Sequence, residues 1–287
     1  MPHLEPATGV LPHEKLSHGC FETMRAYEGK VFRLEDHLDR LYASAKFLGT
    51  QAPSNRKSFA LQLTGALQRS KIKEAMLRVA LIPRPDDNAS RGGGLQPKAE
   101  SKPHIVVQPV PVSSKEAYRK GIRVAVIPAR KFSVGSIDPR AKYSARLGSV
   151  LAVIDAQLRE VDEAIFLDET SSVTESTASN FGIIRKGVIQ TPPCWLGLLA
   201  GITRDVLFEL AVILSLSIEE VPLTRHDIYN ADEAFMTSTL KEVLGVSEID
   251  GRRIGSGRPG PLTGKLLQGF RMLVKKELNL RGDSWKE

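Results

Sequence analysis

The sequence predicts an α/β (α+β) fold with a small α+β N-terminal domain and a larger mixed α/β, barrel-like C-terminal domain. A length of 287 residues suits two domains. A proline-rich segment then separates two differently patterned parts of the chain, and strands and helices alternate only after it. The predicted boundaries are a small domain at 1–108, a linker at 109–117 and a large domain at 118–287.

The N-terminal part begins without regular periodicity and then becomes strongly patterned. Residues 1–16 are rich in proline and histidine and predict an extended lead. Strands are predicted on both sides of the turn Glu28-Gly29, and apolar residues then recur at spacings of three and four, which indicates a helix. The predicted elements are strands at 20–27, 30–34, 75–82 and 105–110, helices at 34–48 and 58–70, and a loop rich in glycine and proline at 83–103.

The C-terminal part alternates short apolar runs with helical patterns, as mixed α/β domains do. No internal repeat is present in it. The predicted strands lie at 122–127, 164–168, 181–185, 218–222 and 233–238, and the predicted helices at 145–158, 206–216 and 262–273.

Composition narrows the classes of function. The chain has 40 basic and 33 acidic residues, a net charge of +7, which suits small anionic ligands. The basic residues form no cluster interleaved with aromatic residues, so we expect no nucleic-acid partner. Two distant cysteines and six scattered histidines predict no metal site. No signal-peptide pattern and no apolar run of about 18 residues are found, so we expect a cytoplasmic protein with no membrane partner.

Three polar segments of the second part carry reactive or anion-binding groups. Lys142 lies in the segment 138–146, Glu175 lies among small polar residues at 174–181, and Gly201 precedes a predicted helix. Free amides at a helix start bind phosphate, and Gly201 or Thr203 suits the cap position. Taken singly, these features are equally typical of a solvated lysine, a turn and an ordinary helix start.

Taken together, the segments resemble the class IV aminotransferases, which are pyridoxal-phosphate enzymes of fold type IV. This family includes branched-chain aminotransferases, D-amino-acid aminotransferases and aminodeoxychorismate lyase. The resemblance covers residues 21–273, nearly the whole chain. The segments that carry it are 21–29, 32–41, Lys142, 162–168, 174–181, 191–193, 201–205 and 231–239.

The resemblance implies a role for each matching residue around pyridoxal 5′-phosphate. Lys142 holds the cofactor as a Schiff base and afterwards shuttles a proton. Glu175 faces the pyridine nitrogen and keeps it protonated. The implied phosphate ligands are Arg40, the backbone amides of Ile202 and Thr203, and the Thr239 hydroxyl.

The substrate pocket departs from the pattern of the branched-chain enzymes. Phe21 and Arg78 match positions that line their substrate cavity, and we expect Leu240 to line it as well. Met76 stands where those enzymes have a tyrosine, and Leu147, an expected cofactor contact, replaces a second tyrosine. The pair formed by Arg146 and Leu147 resembles the lyase instead.

The resemblance therefore leaves more than one activity open. We expect transfer of an amino group between a branched-chain or aliphatic amino acid and 2-oxoglutarate, in a homodimer. The alternatives are aminodeoxychorismate lyase, which forms 4-aminobenzoate and pyruvate, and a D-amino-acid aminotransferase. We expect the loop 83–103, with Arg84 and Arg91, to decide how the α-carboxylate is held. The usual N-terminal strand of the family is not recognisable in residues 1–16.

Overall fold

Two β-sheets organise the chain in a computed structural model that describes residues 19–83, 101–111, 113–131, 135 and 137–280. The first sheet comes from the N-terminal part. Its strands are antiparallel in the order β2-β1-β3-β4. The elements of this part are β1 Cys20–Tyr27, β2 Lys30–Val31, α1 Leu34–Phe47, α2 Arg56–Ser70, β3 Ala75–Pro83 and β4 Ser101–Pro109.

Helices α1 and α2 pack on one face of the first sheet because each has one apolar stripe. Leu38 and Leu41 of α1 and Leu63 of α2 are fully buried, and they meet Met24 and Leu77 from the strands. Burial of each such side chain contributes roughly 1.5–3 kcal/mol. Beside this stripe, α1 directs His37 and Arg40 toward Glu22 and the second half of the molecule.

The second sheet is larger and closes on itself. Its order is β10-β9-β8-β11-β12-β5-β6-β7, and β7 also pairs with β8. This pairing makes a ring of strands and confirms the barrel-like prediction. The elements are α3 Lys115–Lys120, β5 Ile122–Arg130, α4 Leu147–Leu158, β6 Glu163–Leu167, β7 Val173–Ser176, β8 Asn180–Arg185, β9 Val188–Thr191, a 3-10 helix Cys194–Leu196, α5 Ile202–Leu214, β10 Ile218–Glu220, α6 Arg225–Tyr229, β11 Glu233–Ser238, β12 Glu242–Ile249, β13 Arg252–Arg253 and α7 Pro261–Leu278.

The strands of the ring contribute to three apolar cores within the described residues. Ile165, Phe181 and Leu244 belong to the first cluster. On the outer face, α5 and α7 pack side chains such as Leu207 and Phe270 against the sheet. None of the helices in the described ranges is long and apolar enough to span a membrane.

Most predicted elements are present, with shifted ends, and several others were not predicted. The strand predicted at 105–110 begins at Ser101, so the predicted loop 83–103 is shorter; Arg84 and Arg91 lie outside the described residues, as do residues 1–16. The polar segment 174–181 is largely strand, not a turn. Elements α3, α6, β9, β12 and β13 were not predicted. The domain boundaries at 108 and 117 stay a prediction.

Candidate active site

A cavity of about 470 Å³ lies between the two sheets, a size that suits a small molecule. Both sheets contribute to its wall, with β1 and β3 on one side and β7, β11 and the start of α5 on the other. The predicted site residues that line it are Phe21, Arg40, Met76, Arg78, Lys142, Glu175, Ile202, Thr203, Thr239 and Leu240.

Leu147 is the exception, and its predicted cofactor contact is not supported. It is the first residue of α4, and its side chain is 61% exposed on the outer face of that helix. The neighbouring residues Arg146 and Gly148 line the cavity instead. A helix places adjacent residues on different faces, so the inward position falls to Arg146.

Backbone hydrogen bonds hold Lys142 between the first sheet and α1. The Phe21 amide donates to the Lys142 carbonyl at 3.0 Å, and the Lys142 amide donates to Ser44 Oγ at 2.9 Å. Tyr143 continues this pairing through a bridge to Cys20. The side chain enters the cavity, where its amine lies 5.1 Å from the centroid of the Phe21 ring.

The surroundings of Lys142 lower the pKa of its amine from 10.5 to about 7. Burial is the main cause, because a charged amine is poorly solvated in the cavity wall, and the positive charge of Arg40 is the next. Glu22 and Glu175 oppose the shift in part, whereas Arg146 adds to it. A large neutral fraction of the amine near pH 7 can therefore act as a nucleophile or a base.

Arg40 is held by a buried carboxylate. Glu22 is fully buried and accepts hydrogen bonds from Arg40 Nε at 2.6 Å and from His37 Nδ1 at 2.8 Å. Burial opposes ionisation of Glu22, but Arg40 and His37 outweigh it and hold its pKa well below the ordinary value. Burial also lowers the pKa of His37. Arg40 NH1 reaches the Ala200 carbonyl at 2.7 Å, which brings the guanidinium to the start of α5.

The start of α5 presents free backbone amides to the cavity. Gly201 occupies the N-cap position and has no side chain to cap the helix, so the first-turn amides, including those of Ile202 and Thr203, have no partner within the helix. Thr203 is thus inside the helix, and the cap is Gly201. A Cβ at Gly201 would overlap Asn180 Oδ1, so only glycine permits this approach. Such a terminus binds phosphate through its amides and dipole.

Glu175 also lines the cavity and is oriented by three contacts. Lys131 Nζ forms an ion pair with Oε1 at 2.5 Å. The Leu199 amide donates to Oε2 at 3.0 Å, and Asn180 Nδ2 approaches the same atom at 3.4 Å. Sequence reasoning assigned no role to Lys131, because it directly follows a strand and nothing local distinguishes it from a surface lysine.

The residues of the cavity fit a phosphorylated, aldehyde-bearing cofactor. They supply a low-pKa amine, a guanidinium beside free helix amides, and the buried hydroxyl of Ser179, which has no hydrogen-bond partner among the described residues. A buried polar atom without a partner is costly, so a bound ligand is its natural complement. The described residues contain no group of three or more His, Cys, Asp or Glu side chains able to hold a metal ion.

Comparison with known proteins gives the family of the chain. The model of the family described as amino-transferase class IV matches residues 19–249. The chain belongs to the class IV aminotransferases. It is a pyridoxal-phosphate-dependent transaminase of fold type IV, which confirms the resemblance, fold class, enzyme class and cofactor inferred from the sequence.

Individual relatives of this class IV aminotransferase carry two kinds of name. The branched-chain-amino-acid aminotransferase of Pseudomonas aeruginosa is 34% identical, over 94% of this chain and 89% of the relative. The D-alanine aminotransferase of Bacillus licheniformis is 33% identical, over 85% and 83%. Among solved structures, the branched-chain amino acid aminotransferase of Thermobaculum terrenum in its PLP-bound holo form superposes with a TM-score of 0.82 at 26% identity, over 91% of this chain and 86% of that chain.

Proposed function

We propose that the protein transfers amino groups between a branched-chain or aliphatic amino acid and 2-oxoglutarate, with Lys142 as the catalytic residue. The observation that carries the proposal is the Lys142 amine, whose pKa is about 7, in a cavity that joins a phosphate-binding helix start to a buried apolar wall. Bound pyridoxal phosphate would supply an electron sink for charge that develops at the substrate α-carbon.

Different residues of the cavity would bind the cofactor and transfer the proton. Arg40, the amides of Ile202 and Thr203 and the hydroxyl of Thr239, which all line the cavity, would hold the phosphate. Glu175 would stabilise a proton on the ring nitrogen of the bound cofactor. The freed Lys142 amine moves a proton to and from the substrate α-carbon, a role that needs a neutral base near pH 7.

The apolar wall supports an aliphatic substrate. Phe21 and Met76 are nearly fully buried and line the cavity, and Leu240 lies at the turn between β11 and β12. These side chains favour a branched hydrocarbon by excluding water from around it. Arg78 lies close to the same wall, with Cζ 4.4 Å from the Phe21 ring centroid, and provides a guanidinium for the substrate carboxylate.

An amino-donor panel tests the proposal. L-leucine, L-isoleucine and L-valine should each change the absorbance of the bound cofactor, and addition of 2-oxoglutarate should then yield glutamate. The Lys142→Ala protein is the matched control and should yield no glutamate. Absence of any spectral change with every branched-chain L-amino acid would refute the proposal.

The same panel separates the alternatives. D-alanine and other D-amino acids are included because one relative is a D-alanine aminotransferase. Incubation with aminodeoxychorismate tests the lyase, for which the position of Arg146 in the cavity is the favouring observation. Release of 4-aminobenzoate without amino transfer would assign the chain to that reaction.

The homodimer is part of the proposal and is supported by the outer face of α4. This helix carries large apolar residues at helical spacing, each more than 40% exposed: Leu147, Val150, Leu151, Val153, Ile154 and Leu158. A contiguous apolar face of this kind marks an interaction surface. A second copy of the chain is the proposed occupant. Because α4 begins next to Arg146, the partner would lie close to the cavity.

A further inference from the structure

A second cavity, of about 520 Å³, lies outside the candidate active site. The end of β5, the residue after α4, helix α6 and the turn between β12 and β13 form its wall. Its lining contains four arginines, Arg130, Arg159, Arg225 and Arg252, against a single acidic residue, Asp250. All four arginines are exposed, so a ligand can enter from solution. This cavity is strongly positive, and amino transfer gives it no role.

The one carboxylate of this arginine cavity is already bound by uncharged groups. Asp250 Oδ1 accepts a hydrogen bond from the Val126 amide at 2.9 Å, and Oδ2 accepts one from the Tyr229 hydroxyl at 2.7 Å. These bonds tie the turn between β12 and β13 to β5 and α6. The carboxylate therefore serves to hold the wall together, and its oxygens are occupied by an amide and a phenol.

Arg252 is held in place at the wall before any ligand binds. Its Cζ lies 4.5 Å from the centroid of the Tyr229 ring, and its NH1 group donates to the Asp250 carbonyl at 3.0 Å. The ring and the backbone bond restrict the guanidinium but occupy only one of its five N–H donors. Because the side chain is already ordered, binding a ligand with the remaining donors costs little conformational entropy.

Two of the other arginines have no ion-pair partner within the described residues. Arg130 NH1 donates to the Pro128 carbonyl at 3.3 Å, and Arg225, the first residue of α6, has no hydrogen-bond acceptor in the described part of the chain. Arg159 pairs with Asp155, four residues earlier in the sequence, at 3.3 Å. Positive charges that share a cavity repel one another, so a bound anion relieves that repulsion.

The excess of guanidiniums favours phosphate groups over a carboxylate. A phosphate group carries about 1.5–2 negative charges near neutral pH and three acceptor oxygens, whereas a carboxylate carries one charge on two oxygens. Guanidiniums bind phosphate through pairs of parallel hydrogen bonds. The arginine cavity is also as large as the active-site cavity, which fits a whole phosphorylated cofactor. Its charge and its volume both suit more than one phosphate group.

We propose that the arginine cavity is a second ligand site, which binds a small molecule carrying two phosphate groups. The proposal does not depend on the proposed function, because Arg130 is the only described residue that lines both cavities. Arg130 directly precedes Lys131, whose amine pairs with Glu175 at 2.5 Å. The ligand therefore binds at the end of the strand that leads into the active site.

Titration calorimetry with inorganic pyrophosphate tests the site in the holoenzyme, where pyridoxal phosphate already fills the other phosphate site. We expect one pyrophosphate per chain, and roughly tenfold weaker binding by Arg225→Gln and by Arg252→Gln, in the range for hydrogen bonds to a charged group. Arg253→Gln is the matched control and should bind as the native protein does. Arg253 follows Arg252 on β13 but lines neither cavity, since adjacent strand residues point to opposite faces.

Two further measurements identify the anion and verify folding. Citrate, which has three carboxylates and no phosphate, should bind more weakly than pyrophosphate. Pyrophosphate should raise the thermal midpoint of the native and Arg253→Gln proteins by mass action, and that of Arg252→Gln much less. The thermal midpoint without ligand and the absorbance of the bound cofactor should be unchanged in every variant, which shows that each is folded and loaded.

Four results would overturn the inference. The native holoenzyme could show no saturable binding of pyrophosphate, or pyrophosphate could displace the cofactor, which would place it in the active site. Equal weakening in Arg253→Gln would indicate general attraction to a positive surface. Citrate that binds as tightly, with the same dependence on Arg252, would indicate a carboxylate site. Failure of the proposed amino transfer leaves these titrations unchanged, so the two proposals fail separately.

Discussion

The reactivity of the Lys142 amine depends on the residues around it, because they lower its pKa. The cavity wall removes water from around the amine, and Arg40 and Arg146 add positive charge, so the pKa falls to about 7. The carboxylate most involved, Glu22, belongs to the first sheet and also fixes Arg40. One buried carboxylate thus moderates the amine and positions the phosphate ligand at the same time.

The pKa of the Lys142 amine sets the pH dependence of cofactor capture. Only the neutral amine reacts with an aldehyde, so the rate at which the apoprotein captures pyridoxal phosphate should rise with pH through a midpoint near 7. Stopped-flow absorbance between about pH 5.5 and 9 measures it. Arg146→Leu removes a like charge and should move the midpoint upward. A rate that continues to rise steeply above about pH 9 would show an ordinary lysine.

Single residues also show what sequence could and could not reveal. The motif order singled out Lys142 and Glu175, and both line the cavity. No local pattern indicated that Lys131 would pair with Glu175, since Lys131 follows β5, Glu175 lies on β7, and the two meet only in the folded barrel. The sequence also does not show that Arg146 lines the cavity while Leu147 is exposed, because these positions depend on where α4 begins.

At the scale of elements, buried pairs of charged side chains join β1 to α1. Glu22 lies on β1, and both His37 and Arg40 lie on α1. The ion pair is almost removed from water, so loss of one partner leaves the other charge uncompensated. This coupling fixes the position of α1 on the sheet and hence the reach of Arg40.

Glu22→Gln tests that coupling. We expect the free energy of unfolding to fall by about 3–5 kcal/mol at neutral pH, measured with urea. The pKa of Glu22 is lower in the folded state than its ordinary value of 4.5, so its stabilisation is complete above that pH and declines as the pH drops through the folded value. The difference between the two proteins should narrow below about pH 4.5.

Glu35→Gln is the control for this experiment, because Glu35 pairs with Arg56 on the exposed side of the same helix. Its effect should stay within about 0.5 kcal/mol, as for most surface ion pairs. Equal losses in the two variants would contradict a special role for Glu22.

Elements with one apolar stripe or one continuous apolar run were predicted well, as α1 and the buried strand β11 show, whereas the buried strand β12 was missed. The stripe of α1 is visible at spacings of three and four, and its predicted range differs from the observed helix by one residue. Strand β12 lies in the middle of the barrel but begins with Glu242 and contains Gly245 and Glu248, which breaks any alternation. Glu242 is nevertheless fully buried, because Arg25 and Arg271 pair with it. These partners are distant in the sequence, so a short stretch of sequence around Glu242 does not reveal them.

At the scale of the whole molecule, the two sheets build one cavity, and α4 lies at its edge with an apolar face outward. We expect Leu151→Glu to convert the proposed dimer into a monomer, since a charge in the centre of that face must lose its water on association. Light scattering after size-exclusion chromatography measures the mass. Met272→Glu, at an isolated exposed position on α7, is the control and should leave the mass unchanged.

Lower activity in a monomeric but folded Leu151→Glu protein would show that the active-site cavity needs the second subunit for full activity. A dimer that survives the substitution would locate the interface elsewhere on the molecule.

The hydrogen bonds that hold the Lys142 backbone bear on the order in which the new chain folds and binds its cofactor. By order of synthesis this lysine comes after the whole first sheet, yet its amide and carbonyl are held by Ser44 and Phe21, which are made long before it. The reactive amine therefore reaches its working position only once the early half and the later segment have joined. In a chain whose N-terminal sheet has not yet packed against the segment of Lys142, the lysine lacks the surroundings that lower its pKa. Capture of the cofactor should therefore follow the packing of these two parts.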